Sequence, residues 1–82
     1  MELSVVVVSW NVAELLRECL VSLEQHLATH EVETIVVDNA SSDATVRMLC
    51  SEFPQVRVIA NEGNVGFAAA ANQGVRVSGA WP

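Results

Sequence analysis

Three runs of β-branched and aliphatic residues alternate along this chain with three stretches whose apolar residues recur every three or four positions. LSVVVVS at 3–9 is apolar without alternation, the pattern of a strand covered on both faces in a parallel sheet. ETIVVD at 33–38 predicts a second such strand, and the less apolar VRVIA at 56–60 a third one nearer a sheet edge. After the first strand, Leu15, Leu16, Cys19, Leu20, Leu23 and Leu27 share one face of a helix predicted from residue 12 to near Ala28. Asn11 stands as its N-cap, Glu14 as the return partner of a capping box, and Trp10 can pack on Leu15. Val46, Leu49, Cys50 and Phe53 predict a second helix stopped by Pro54. Phe67, Ala70, Ala71, Gly74, Val75 and Ser78 give the third a face of mostly small residues that lets it lie close to a sheet, with Gly79 as its stop.

Strands alternating with helices predict an α/β fold, a three-layer βαβαβα parallel sheet with right-handed crossovers. No internal repeat, linker or low-complexity segment divides residues 1–82. Ligands of such sheets bind where the strands end at their carboxyl termini. Those ends are Ser9 to Asn11, Asp38 to Ser42, and Asn61 to Gly66.

The 82 residues are 51% apolar, a high fraction for so small a soluble object, which has much surface to cover. The expectation is a chain that oligomerises or lacks something that covers it. Four basic residues against ten acidic ones, none of them Lys, give a net charge of −6, which excludes a nucleic-acid backbone as partner. A small phosphorylated ligand stays open, because helix N-termini, backbone amides or a bound cation hold phosphate without net positive charge. Cys19 and Cys50 are expected as buried free thiols in a reducing compartment. With no apolar run long enough for a membrane span and no basic flank of a signal peptide, the chain is expected to be cytoplasmic.

Several residues at the strand ends can carry chemistry. Asp38 can accept hydrogen bonds from a nucleobase imide or ribose hydroxyls, or, with Asn39, can merely turn the chain and cap the next helix. Ser41, Ser42 and Asp43 read as a cap and as negative charge in that helix's first turn. Asn64 and Gly66 suit either close approach to a ligand or a plain turn. His26 and His30 stand four apart without a third ligand, and read as solvated helix-end residues rather than a metal pair. Asn72, beside Gln73, is expected to serve structure. A dinucleotide site of the Rossmann type fails at the first turn, where SWNVAE offers no G-x-G-x-x-G.

The ordered set VVVVSWN, IVVDNASSDAT and NEGNVGFAAAANQGV resembles the N-terminal half of the family-two glycosyltransferases, especially their bacterial rhamnosyltransferase-like branch. The resemblance implies a GT-A (Rossmann-like) nucleotide-diphospho-sugar transferase fold, incomplete here, with residues 1–82 as its nucleotide-binding portion. It implies an enzyme that moves a sugar such as rhamnose from a UDP- or dTDP-linked donor to an acceptor hydroxyl with inversion. Ser9, Trp10 and Asn11 would lie beside the nucleobase, Asp38 would contact it, Asn39 matches the same motif, and Asn64 with Gly66 would border the nucleoside. The family's Asp-x-Asp strand, which binds Mg or Mn and the donor diphosphate, and its later general base both fall beyond Pro82. The chain alone is therefore expected to bind a sugar nucleotide weakly, to bind no metal and to lack catalysis. The alternative is a non-enzymatic oligomerisation or partner-binding module. The family's strand order sets the missing strand beside the first one, which leaves Val5 to Val8 as an edge open to a homodimer.

Overall fold

The computed structural model describes residues 3–27 and 31–79. The expected helix end near Ala28, His30 and the terminal Trp81 and Pro82 lie outside them. The elements run β1 (Leu3–Ser9), α1 (Ala13–Leu27), β2 (Val32–Asp38), α2 (Thr45–Glu52), β3 (Arg57–Ala60) and α3 (Phe67–Val77). The three strands form a parallel sheet in the order β1-β2-β3, in which Ser9 pairs with Asp38 and Asp38 with Ala60. All three strands therefore end level, and the segments that follow them gather at one end of the sheet.

Alternation along the strands divides the core between two faces. On one face Leu16 and Leu20 of α1, Met48 and Leu49 of α2, and Phe53 just after α2 close over Val36, with Val7 and Val58 beside it. On the other face Ala70 of α3 lies against Ile35 and Val37, flanked by Val6, Val8 and Ile59. Ile35, Val36 and Val37 have no exposed surface, as a central strand covered from both sides requires. Each large apolar side chain so buried contributes on the order of 2 kcal/mol. The result is the three-layer α/β arrangement that the strand patterns predict, with the weakly apolar β3 at an edge.

The helix faces differ from the periodicity in several places. Cys19 and Cys50 are free but exposed rather than buried. Leu15 is 68% and Phe67 74% exposed, because the sheet covers a narrower arc of each helix than its apolar residues span. In α2 the buried set is Thr45, Met48, Leu49 and Phe53, rotated away from the expected Val46 and Cys50. Trp10 is exposed like Leu15, so the pair forms no buried staple.

The helix ends also depart from expectation. Asn11 does not cap α1, which starts at Ala13. The Ala13 N–H instead donates to Asp43 Oδ2 at 3.3 Å, and Glu14 pairs with Arg17. Phe53, ahead of Pro54, leaves the helical region at φ −131°, as the proline ring demands. In α3 the stop is Ser78, in extended conformation, while the Gly79 N–H donates to Glu33 Oε1 at 2.6 Å. His26 sits in the last turn of α1 with Nδ1 2.8 Å from the Ser22 carbonyl oxygen, and no group of three or more metal-ligating side chains occurs among the described residues.

Candidate functional site

The strand ends bring Ser9, Trp10, Asn11, Asp38, Asn39, Asn64 and Gly66 to one end of the sheet. They divide into a buried frame and an exposed rim. Ser9, Asp38 and Asn39 are each at most 3% exposed. Trp10, Asn11, Asn64 and Gly66 are exposed.

The frame is held by hydrogen bonds that continue the sheet past its last residues. The Asn39 N–H donates to the Ser9 carbonyl at 2.8 Å, and the Asn61 N–H to the Asp38 carbonyl at 2.9 Å. Asp38 Oδ1 accepts from Ser9 Oγ at 3.0 Å and from Ser41 Oγ at 2.5 Å, while Oδ2 accepts from the Ser41 N–H at 3.0 Å. Three of roughly four acceptor positions of the carboxylate are thus used within the chain. Between Asp38 and Ser41, Ala40 takes φ +63°, the left-handed conformation that folds the loop back onto its own carboxylate.

Asn39 ties this loop to the next. Its Nδ2 donates to the Gly66 carbonyl at 3.2 Å, and its Oδ1 accepts from Asn61 Nδ2 at 3.1 Å and from the Val65 N–H at 3.5 Å. Asn61 in turn exchanges two amide bonds with Gln73 of α3, at 2.8 and 2.9 Å. That pairing carries the structural role expected of Asn72, which is exposed. Asn64 Oδ1 accepts the Gly66 N–H at 2.8 Å, and Gly66 stands at φ 84°, ψ 168°, a region in essence restricted to glycine. The turn reading of Asn64 and Gly66 is therefore realised in the structure, with nothing within 4 Å of where a Gly66 Cβ would stand.

The first and second loops lock together through Asn11 and Asp43. The Asn11 N–H donates to Ser41 Oγ at 2.9 Å, and Asn11 Oδ1 accepts the Ser42 N–H at 2.7 Å. Asp43 Oδ1 accepts the Thr45 N–H at 3.0 Å and also the Thr45 hydroxyl. With Oδ2 on Ala13, one carboxylate meets the N-termini of both α1 and α2, where negative charge is favoured. The Thr45 hydroxyl first, and the Thr45 and Ala13 N–H groups with it, hold Asp43 below the ordinary carboxylate range. The sequence predicts a cap and first-turn acid for α2 from Ser41, Ser42 and Asp43, whereas the N-cap is Ala44 with no side-chain cap hydrogen bond, and Asp43 stands ahead of the helix and reaches Thr45 from outside it. Its reach to α1, 30 residues away, and the roles of Asn61 and Gln73 leave no local signal.

The rim presents an indole and two side-chain amides around a backbone without bulk at Gly66, suited to stacking on a planar ring and to hydrogen bonding at its edges. Of the three carboxylates of these loops, Asp38 and Asp43 are engaged by donors of the chain itself, and Glu62 stands exposed on the third loop. Among the described residues these carboxylates form no group of three side chains that could hold a metal ion.

The sequence pattern described as Glycosyl transferase family 2 matches residues 4–80. The chain belongs to glycosyl transferase family 2. It is 39% identical over 79 residues to an uncharacterised glycosyltransferase of Bacillus subtilis, YfnE, covering 93% of this chain and 20% of that protein. An uncharacterised protein of Mycobacterium tuberculosis is 35% identical over 71 residues, covering 82% of this chain and 20% of its own length. This family-two chain thus spans about a fifth of the length of these curated relatives. Among solved structures, a mannosyltransferase from Pyrobaculum calidifontis in complex with GDP-Man and Mn2+ superposes with a TM-score of 0.70 at 26% identity, over 94% of this chain and 24% of that one. The parallel sheet with helices on both faces is the GT-A, Rossmann-like arrangement. No helix among the described residues is long and apolar enough to cross a membrane.

Proposed function

We propose that the strand-end site holds the nucleoside of a nucleoside-diphosphate sugar, as the donor-binding part of a glycosyltransferase. The observation that carries this reading is the division of the site. Seven residues scattered between positions 9 and 66 meet at one end of the sheet, three of them as a buried and hydrogen-bonded frame and four on an open rim. In this reading the base stacks on Trp10, the Nδ2 groups of Asn11 and Asn64, whose Oδ1 atoms accept within the chain, donate at its edge, and Gly66 lets backbone approach the ribose. Asp38 contributes its one unused acceptor position and fixes the loop through Ser41. Asn39 holds the 61–66 loop in place rather than meeting the ligand in the open.

For the intact protein we infer transfer with inversion. The acceptor hydroxyl gives up its proton to a base and attacks the anomeric carbon from the face opposite the departing nucleoside diphosphate. In this reading that base and the Mg2+ or Mn2+ are assigned to other parts of the protein, and the described residues to donor binding. A pyrimidine donor, UDP- or dTDP-linked, with rhamnose as its sugar, is the form that the sequence resemblance supports.

Calorimetric titration with UDP, dTDP and GDP tests this. Millimolar-range binding of a pyrimidine nucleotide is expected, weakened on the order of ten-fold in Trp10→Ala, since a base–aromatic stack is worth about 1–3 kcal/mol. No heat with any of the three nucleotides, or a nicotinamide dinucleotide binding more tightly than all of them, would count against it.

A further inference from the structure

Gln73 lies inside α3, outside both the frame and the rim, yet side-chain amides in series connect it to them. Gln73 Oε1 accepts from Asn61 Nδ2 at 2.8 Å, and Gln73 Nε2 donates to Asn61 Oδ1 at 2.9 Å. The other hydrogen of Asn61 Nδ2 goes to Asn39 Oδ1 at 3.1 Å, which also accepts from the Val65 N–H at 3.5 Å. Asn39 Nδ2 then donates to the Gly66 carbonyl at 3.2 Å. The series thus runs from a helix to the backbone of the 61–66 loop.

Its orientation is fixed from the loop end. Turning the Asn39 amide over would set its oxygen against the Gly66 carbonyl and its NH2 against the Val65 N–H. With Asn39 so held, an inverted Asn61 would set oxygen against oxygen, so Gln73 must offer its own oxygen to Asn61 Nδ2 and its NH2 to Asn61 Oδ1. Among the described residues no buried side-chain nitrogen or oxygen lacks a partner, and a polar network satisfied throughout rigidifies what it joins.

Its anchorage lies at the helix end. Beside Gln73, Gly74 is buried where α3 leaves no room for a Cβ against Val6 and Val37, which seats the helix on the sheet. The Asn61 N–H is held in turn by the Asp38 carbonyl at 2.9 Å. Residues 62–66, by contrast, are exposed and lie in neither helix nor strand, and Asn39 supplies hydrogen bonds that join them to the end of the sheet.

We propose that Gln73 is a positioning residue of the nucleoside site, holding Asn61 with its donor toward Asn39 and thereby fixing the grip of Asn39 on Val65 and Gly66. The inference rests on the sugar-nucleotide reading for what the loop borders, and on the amide series for what holds the loop. Released from Gln73, the Asn61 amide is free to turn and present its oxygen to Asn39 Oδ1, which opens the link.

Hydrogen exchange of the Val65 amide and the Asn39 side-chain amide, with calorimetric titration of UDP and dTDP, tests the proposal. Gln73→Met keeps a long unbranched side chain of good helix propensity and removes both hydrogen bonds. In this variant, folded by circular dichroism, both amides are expected to exchange roughly three- to ten-fold faster, with nucleotide affinity lower by a similar factor. Gln73→Glu gives a readout that packing alone would not move. Its carboxylate accepts from Asn61 Nδ2 but has no hydrogen for Asn61 Oδ1, whereas the protonated acid offers both. Protection of the two amides, relative to wild type at the same pH, should therefore recover as pH falls through the ordinary carboxyl value of about 4.3. Unchanged exchange in Gln73→Met, unchanged affinity in it where the wild-type chain binds, or no recovery of Gln73→Glu in acid would overturn the proposal. A wild-type chain that binds neither nucleotide would instead count against the sugar-nucleotide reading, and the exchange measurements would still decide whether Gln73 holds the loop.

Discussion

Gly74 lies buried in the middle of α3, at the point where that helix crosses the sheet. A Cβ there would stand 2.4 Å from Val6 Cγ1, 3.2 Å from Val6 Cγ2 and 3.3 Å from Val37 Cγ2. Carbon atoms in contact prefer about 3.5–4.0 Å, so Gly74→Ala forces a displacement on the order of 1 Å. Val6 cannot easily yield, since its branched side chain is stiff at χ1. Lifting α3 instead would loosen Ala70 from Ile35 and Val37. Such overpacking costs about 1–3 kcal/mol, against roughly 1 kcal/mol gained from the better helix propensity of alanine. The net expectation is a loss of about 1 kcal/mol, or a Tm lower by roughly 4–8 °C for a domain of this size. Thermal unfolding followed by circular dichroism, at one fixed protein concentration because association shifts Tm, provides the assay. Made in a Val6→Ala background, where both offending methyl groups are gone, the same substitution should stabilise by up to about 1 kcal/mol. Stabilisation by Gly74→Ala in the wild-type chain, or an equal loss in both backgrounds, would refute the steric argument.

Ala40→Gly is expected to raise Tm: the left-handed conformation costs a non-glycine residue about 1–2 kcal/mol, of which the freer unfolded chain takes back roughly 0.4–1; an unchanged or lower Tm would contradict this. Asn39→Asp replaces the donor to the Gly66 carbonyl by an oxygen and should cost about 1–3 kcal/mol, with faster amide exchange across residues 61–66 as its signature. Asp43 is held below its ordinary value of 3.8, and Glu33, through the Gly79 N–H and the Ser4 hydroxyl, below 4.5. A folded-state pKa below the unfolded one gives stability that is whole above the ordinary value and lost as pH falls through it toward the folded value. Acid titration of Tm should therefore show a decline setting in below about pH 5 that is shallower in Asp43→Asn and in Glu33→Gln; acid limbs identical to wild type would contradict the assignment.

The strands were legible because burial on both faces leaves a direct mark, an unbroken run such as IVV at 35–37. The helices were legible in number and order but not in facing. Leu15, Cys19 and Phe67 extend each apolar arc past what three strands can cover, and periodicity alone does not say how much of an arc finds a partner. Thr45 shows the converse, a polar residue with no exposed surface that is tolerable only because Asp43 accepts from its hydroxyl. At the site, the position of Asp38 followed from strand-end logic. The clip made by Asn39 did not, since it depends on side-chain contacts across 22 to 27 residues that leave no spacing rule in the chain.

The central claim is that the carboxyl ends of the strands form the nucleoside site. Nuclear magnetic resonance of the labelled chain, titrated with millimolar UDP or dTDP, tests it most directly. The account predicts saturable shifts of the Trp10 indole, of the Asn11 and Asn64 side-chain amides and of the Gly66 backbone, with Ser4, Glu33 and Gly79 at the far end of the sheet unmoved. Shifts confined to that far end, or none at all with any nucleoside diphosphate, would contradict it.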